Sequence, residues 1–184
     1  AFPSQSEIPA AARSMAHADS WQQRRRVNRL HRMSIQESAA AYESATQFFL
    51  NLARAVGKDQ LDIKDPEGWS ARQIIHHLAD SEAQSYARLR RLVAEPNPVI
   101  QGYDENLWAK DQTLGYTELP IENSIAVFTA VRAASLDIIK RLKPEQLELS
   151  GTHTEAGQYS IKRWLETYTR HANNHADQIK QNLA

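Results

Sequence analysis

The chain has 184 residues, 41% hydrophobic and 24% charged, which suits a single globular domain with a sizeable core rather than a disordered or fibrous protein. Lysine and arginine together number 22, as do aspartate and glutamate, so no net field favours a polyanion and nucleic-acid binding is not expected. There is no cysteine, which excludes disulfides, thiolate metal sites and an intrinsic thiol nucleophile; a metal must be held by His, Asp or Glu.

No apolar run approaches the roughly 20 residues that span a bilayer, and the N-terminal stretch lacks the hydrophobic block of a signal peptide. A soluble protein with no membrane partner is therefore expected. Residues 1–33 read as an N-terminal extension, small, polar and irregular at first, with a short helix beginning near Asp19. Its segment Trp21 to Met33 carries Arg24, Arg25, Arg26, Arg29 and Arg32 around Val27 and Leu30, and is best taken as a solvated basic face.

The main domain is expected over residues 34–184. Ser34 with Glu37 forms a capping-box pattern opening a helix to about Val56, whose apolar face runs through Ala41, Tyr42, Ala45, Phe48, Phe49 and Ala53. The linker GKDQLDIKDPEG has turn chemistry at both ends. Trp69 and Ser70 then start a second helix to about Val93, bearing His76 and His77. The stretch from Glu95 to Gln112 is broken by Pro96, Pro98 and Gly102 and predicts a long connection with one short helix around Glu105 to Ala109. A further helix is expected from Pro120, suited to the first helical position, to Leu142, with Ile125, Phe128, Val131, Ala134, Leu136, Ile138 and Ile139 facing the core. After the polar segment ELSGTHTEAGQY, Ser160 caps a last helix reaching about Asn182. No segment sustains the period-2 alternation of a strand. The expected fold is all-α, a four-helix bundle with one long crossover connection.

On the last helix Ile161, Trp164, Leu165, Tyr168, Ala172 and Ile179 mark a buried stripe, and His171 and His175 continue it. Histidines four apart project side by side and can share one ion, but a third ligand must come from another helix. The second helix offers His76 or His77. These point about 100° apart, and spacing alone leaves the choice open.

The words GWSARQIIHHLADS, then Pro98, Tyr103-Asp104-Glu105 and Trp108, then His153, then RHANNHADQI, resemble the DinB-like superfamily over about residues 34–182, and within it the YfiT-like metal-dependent hydrolases associated with bacillithiol S-transfer. That resemblance implies His77, His171 and His175 as ligands of one divalent ion per chain, zinc or nickel, with water completing the shell. It also implies a homodimer and a cytoplasmic location. Relatives often carry more histidines between the last two ligands, where this chain has Ala172, Asn173 and Asn174. The substrate is accordingly less transferable than the metal.

An ion on three imidazoles with open positions suits catalysis better than structure, since structural zinc prefers four protein ligands. The expected activity is activation of an external nucleophile, a low-molecular-weight thiol transferred to an electrophile, with metal-dependent hydrolysis as the alternative. A non-catalytic metal-stapled binding protein or a stress-response factor is the further alternative. Asp80, one turn after His77, is placed either to orient a ligand or to form a surface salt bridge. Tyr103, Asp104 and His153 fall in connections where they can contact substrate, whereas Glu82 lies about 140° from His77 and is a poor ligand candidate. Trp69, Trp108 and Trp164 read as core or loop anchors.

Overall fold

The computed structural model describes residues 34–64 and 68–184. The N-terminal extension with its expected basic helix, and the turn at Asp65-Pro66, lie outside the described residues. Ile35–Ala184 form one compact unit. Four long helices make the bundle: α1 (Ile35–Ala55), α2 (Ala71–Ala94), α4 (Glu122–Ile139) and α5 (Ile161–Asn182), with the short α3 (Glu105–Lys110) in the long connection. Among the described residues no helix is long and apolar enough to cross a membrane.

The helix starts follow local chemistry. Ser70 accepts from the Gln73 amide while the Gln73 side chain accepts from the Ser70 amide, a reciprocal capping box for α2. Asp104 caps α3 and Ser160 caps α5 by one-way side-chain bonds, each accepting from amides that lack an intrahelical partner. Pro120 does not open α4. The helix begins at Glu122, and the Leu119 carbonyl just before it is bonded by Arg72 and His76 of α2.

Each long helix packs on two neighbours: α1 on α5 and α4, and α2 on α4 and α5. Helices that follow each other across the linkers 56–70 and 140–160 therefore stand diagonally, while the long connection 95–121 joins the adjacent pair α2 and α4. The core falls into two apolar clusters. One gathers Tyr42, Leu89, Leu92, Ile139, Trp164 and Tyr168, with the Trp164 indole N–H donating to the Ser85 carbonyl at 3.1 Å. The other gathers Phe49, Leu50, Ile74, Leu78, Phe128 and Ile179.

Between them lies a buried polar layer. Arg132 of α4 donates to Thr46 Oγ1 at 2.8 Å, to Glu82 Oε1, the Tyr168 carbonyl and the Tyr42 carbonyl at 3.0 Å each, and stacks over the Tyr42 ring at 3.5 Å. The buried stripe of α4 is accordingly Phe128, Arg132, Ser135 and Ile139. Val131, Ala134, Leu136 and Ile138, expected in the core, are half-buried flanks. Phe48 of α1 is likewise 37% exposed rather than interior. An arginine with a full set of acceptors can take a core position that hydropathy assigns to its apolar neighbours.

A small sheet also forms at one end of the bundle. Strand β1 (Val99–Ile100) pairs in parallel with β2 (Ser150–His153), which pairs antiparallel with β3 (Gly157–Ser160). Strands of two to four residues, the apolar pair Val99–Ile100 and two polar, glycine-containing segments, are too short for alternation to reveal them. A side chain at Gly151 would run into the Pro98 carbonyl oxygen, the acceptor for the Thr152 amide that opens the β1–β2 ladder. Gly151→Ala should therefore cost about 1–3 kcal/mol as an overpacked site, read by urea denaturation. An unchanged midpoint would show that the sheet edge yields freely.

Candidate metal centre

His77 projects from the second turn of α2, and His171 and His175 from successive turns of α5, the two helices being packed neighbours. The three Nε2 atoms converge: His77 to His171 is 3.2 Å and His175 to His171 is 3.1 Å. One ligand atom from each of the three lies within 4.8 Å of the others. Ligands bonded to one tetrahedral ion at about 2.0–2.1 Å stand about 3.3–3.4 Å apart, so the observed separations are those of a coordination shell.

The donor chemistry agrees with that geometry. His175 Nδ1 lies 2.9 Å from Gln178 Oε1, one turn further along α5, which keeps a proton on Nδ1 and leaves the Nε2 lone pair facing the cluster. His171 Nε2 lies between two other Nε2 atoms and has at most one proton to share between them. Three lone pairs aimed at one point are better satisfied by a cation than by one another. The ring edges are also fixed: Trp69 stands edge-on to His77 at 4.9 Å, and His171 meets the Tyr168 ring at 6.4 Å.

Burial keeps the imidazoles uncharged. It pushes His77 down to about 3, with a smaller contribution from His175, and pushes His171 down to about 2, with His175, His77, Arg132 and Arg170 adding to the effect. His175 is lowered by burial too, against the opposing hydrogen bond to Gln178. Neutral imidazole is the metal-ligating form.

A pH dependence of stability follows for metal-free protein. The folded-state values of His77 and His171 lie below the ordinary 6.5, so below that pH the unfolded chain takes up protons that the folded one does not. Stability should be complete above pH 6.5 and fall with acid toward pH 3, by at most about 1.4 kcal/mol per unit for each group. Urea midpoints at pH 7 and pH 5 measure it. A flat profile would show that these rings are hydrated and protonate in place.

The other expected site residues are placed differently. Asp80 accepts a 2.5 Å hydrogen bond from the Tyr116 hydroxyl and binds the long connection rather than a histidine. Asp104 uses its carboxylate to cap α3 through the Asn106 and Leu107 amides. Tyr103 packs on Trp108 at 4.6 Å, and burial, with the nearby Glu105 charge, raises its phenol to about 12 against the lowering effect of Ser81. His153 stands in the sheet, its Nδ1 accepting the Glu155 and Ala156 amides at 3.2 and 3.3 Å, which puts its proton on Nε2. His76 faces away from the trio toward Ser124 and Leu119.

Two contributors were not foreseen. Glu105, the first residue of α3, brings Oε2 to 3.6 Å from His77 Nε2, and burial with the neighbouring Asp104 charge raises its carboxyl pKa. Its place in the word Tyr103-Asp104-Glu105 was the available signal. Gln178 was marked only by following His175 at a helical spacing of three.

Comparison with known proteins agrees with this architecture. Residues 41–179 match the DinB superfamily. A protein of Oceanobacillus iheyensis named "Putative metal-dependent hydrolase" is 34% identical over 146 residues, covering 79% of this chain and 83% of that protein. One of the same description from Bacillus mycoides is 31% identical over 132 residues, covering 70% and 75%. Among solved structures, YfiT from Bacillus subtilis, described as a "probable metal-dependent hydrolase with an unusual four-helix bundle topology", superposes with a TM-score of 0.73 at 22% identity over 82% of this chain and 87% of that one. A mycothiol-dependent maleylpyruvate isomerase superposes with a TM-score of 0.66 at 14% identity, over 82% of this chain and 62% of that one. With the match running from α1 to α5 and the fold shared, this chain belongs to the DinB superfamily.

Proposed function

We propose that the protein is an enzyme in which His77, His171 and His175 hold one divalent ion, zinc or nickel, and that it transfers an external low-molecular-weight thiol to an electrophile. The observation that carries this is the convergence of three neutral Nε2 donors at coordination-shell distances. The absence of cysteine requires any thiol to arrive as substrate. The shared fold with a protein named as mycothiol-dependent supports the thiol. A homodimer and a cytoplasmic setting complete the proposal, on the strength of the family resemblance.

When bound, a divalent ion supplies Lewis acidity that makes a thiol or a water nucleophilic near neutral pH. The chain's own residues do the rest. Gln178 holds the proton of His175 on the nitrogen away from the site. Trp69 and Tyr168 pack beside the rings and limit their rotation. The fixed Arg132 charge beside α5 disfavours protonation of His171, so the ligand set stays available as pH falls. Hydrolysis with water as nucleophile is the second reading, favoured by the names of the relatives.

Chelated protein should keep its helical circular dichroism yet lose thiol transfer to a haloarene, in which the sulfur bonds to the ring carbon and halide departs, and regain it with added zinc or nickel. Ester cleavage without thiol that returns with metal would select hydrolysis. Undiminished transfer by the stripped protein would sink the metal mechanism, and collapse of the helices on chelation would identify a structural staple.

A further inference from the structure

We propose that Glu105 is a displaceable fourth ligand of the three-histidine centre, and that His76, on another face of α2, is the positioning residue that sets it there. The inference rests on the metal-binding role given above to the histidine trio. It assigns the second member of the adjacent histidine pair, which the trio leaves unused.

Glu105 is a carboxylate brought to the ligand cluster by an element other than α2 or α5. Its Oε2 stands 3.6 Å from His77 Nε2, close to the donor separation of a tetrahedral shell, whereas the ligand atoms that lie mutually within 4.8 Å are those of the three imidazoles, so Glu105 stands at the edge of the cluster on the His77 side. Among the described residues its ion-pair contact is with His77, and its side chain is 53% exposed, so it can swing into the shell or away from it. A ligand of that kind fills the open position until a nucleophile takes its place.

The position of Glu105 depends on α3, which has only six residues and is tethered at both ends. Upstream, the Gly102 amide donates to Thr154 Oγ1 of the sheet region at 2.9 Å. Downstream, the segment 111–121 is fastened to α2. His76 Nδ1 meets Ser124 Oγ at 2.8 Å, and its Nε2 meets the Leu119 carbonyl at 3.1 Å. Arg72 donates to that same carbonyl at 3.1 Å, the Tyr116 hydroxyl donates to Asp80, and the Tyr116 ring lies 5.7 Å from that of His76. His76 is buried and from one ring bonds both the end of this segment, at Leu119, and the first turn of α4, at Ser124, so it pins the point where the segment enters α4. Adjacent residues on one helix thus face opposite tasks: His77 toward the ion, His76 toward the loop that carries the fourth donor.

The test is a double-mutant cycle on metal affinity in the full-length protein, with Zn2+ measured by chelator competition and Co2+ by its visible absorption. Glu105→Gln should weaken Zn2+ binding about 10–100-fold, within the range known for groups that support a metal shell, and should change the Co2+ band intensity. His76→Ala should weaken binding up to about 10-fold in the wild-type background and not at all in the Glu105→Gln background. Tyr116→Phe, which removes only the bond to Asp80, carries the same cycle should His76→Ala fail to fold. Unchanged affinity and spectrum in Glu105→Gln would overturn the ligand assignment, and multiplying losses in the double variant would overturn the positioning role. Failure of wild-type protein to bind metal through the trio would instead defeat the underlying site, an outcome already visible in His171→Ala.

Discussion

Replacing His171 with alanine is expected to abolish tight metal binding while leaving the helices in place. His171 is the hub of the trio, since its Nε2 is the atom close to both of the others. Without it, two imidazoles from different helices remain, and affinity should fall by more than the roughly 10–100-fold typical of changes to supporting groups. Stability should move by no more than about 1–2 kcal/mol, because the ring is half-buried and its Nδ1 takes no hydrogen bond that the substitution would break. Elemental analysis and competition titration read the first effect, and thermal denaturation of chelated protein the second. Retention of one ion per chain would exclude this histidine from the ligand set.

Arg132→Met should be the most destabilising single change in the bundle, costing about 3–5 kcal/mol. Arg132 and Glu82 are each almost wholly buried, and among the described residues the guanidinium is the cation paired with that carboxylate. Burial already raises the Glu82 pKa against the lowering effect of Arg132, so losing Arg132 leaves a carboxyl that must be stranded or protonated in the core. The Thr46 hydroxyl and the carbonyls of Tyr42 and Tyr168 would lose the Arg132 donor as well, the Tyr42 carbonyl keeping that of Thr46. Replacing both partners, as Arg132→Met with Glu82→Leu, should recover most of the loss, since well-packed apolar pairs often match buried ion pairs. Urea denaturation of the three proteins measures it. A single-variant cost under about 1 kcal/mol would show that water enters this layer and solvates Glu82.

Much of the helical frame was legible because its signals are local. The Ser70 and Ser160 caps, the stripe on α5 and the short helix after Asp104 all depend on residues within a few positions of one another. The inward placement of His171 and His175 came from the same stripe. The misplaced core of α4 has the opposite origin. Arg132 is tolerated because acceptors from α1, α2 and α5 surround it, and none lies near it in the chain. The sheet was missed for a similar reason, since β1 finds its partner some fifty residues away across a register of two pairs.

What the sequence determined by itself was the helices, the exclusion of thiolate chemistry and a pair of histidines one turn apart on an inward face. These are statements about neighbours along one helix or about composition. Which histidine of the adjacent pair meets them, and which carboxylate comes closest, was decided only when α2 packed beside α5 and α3 folded over His77. Spacing assigns directions around a single helix axis, whereas a three-donor site requires the relative rotation and height of two helices. Those are set by the packing of the whole bundle and by the fastening of the 111–121 segment through His76, Tyr116 and Arg72.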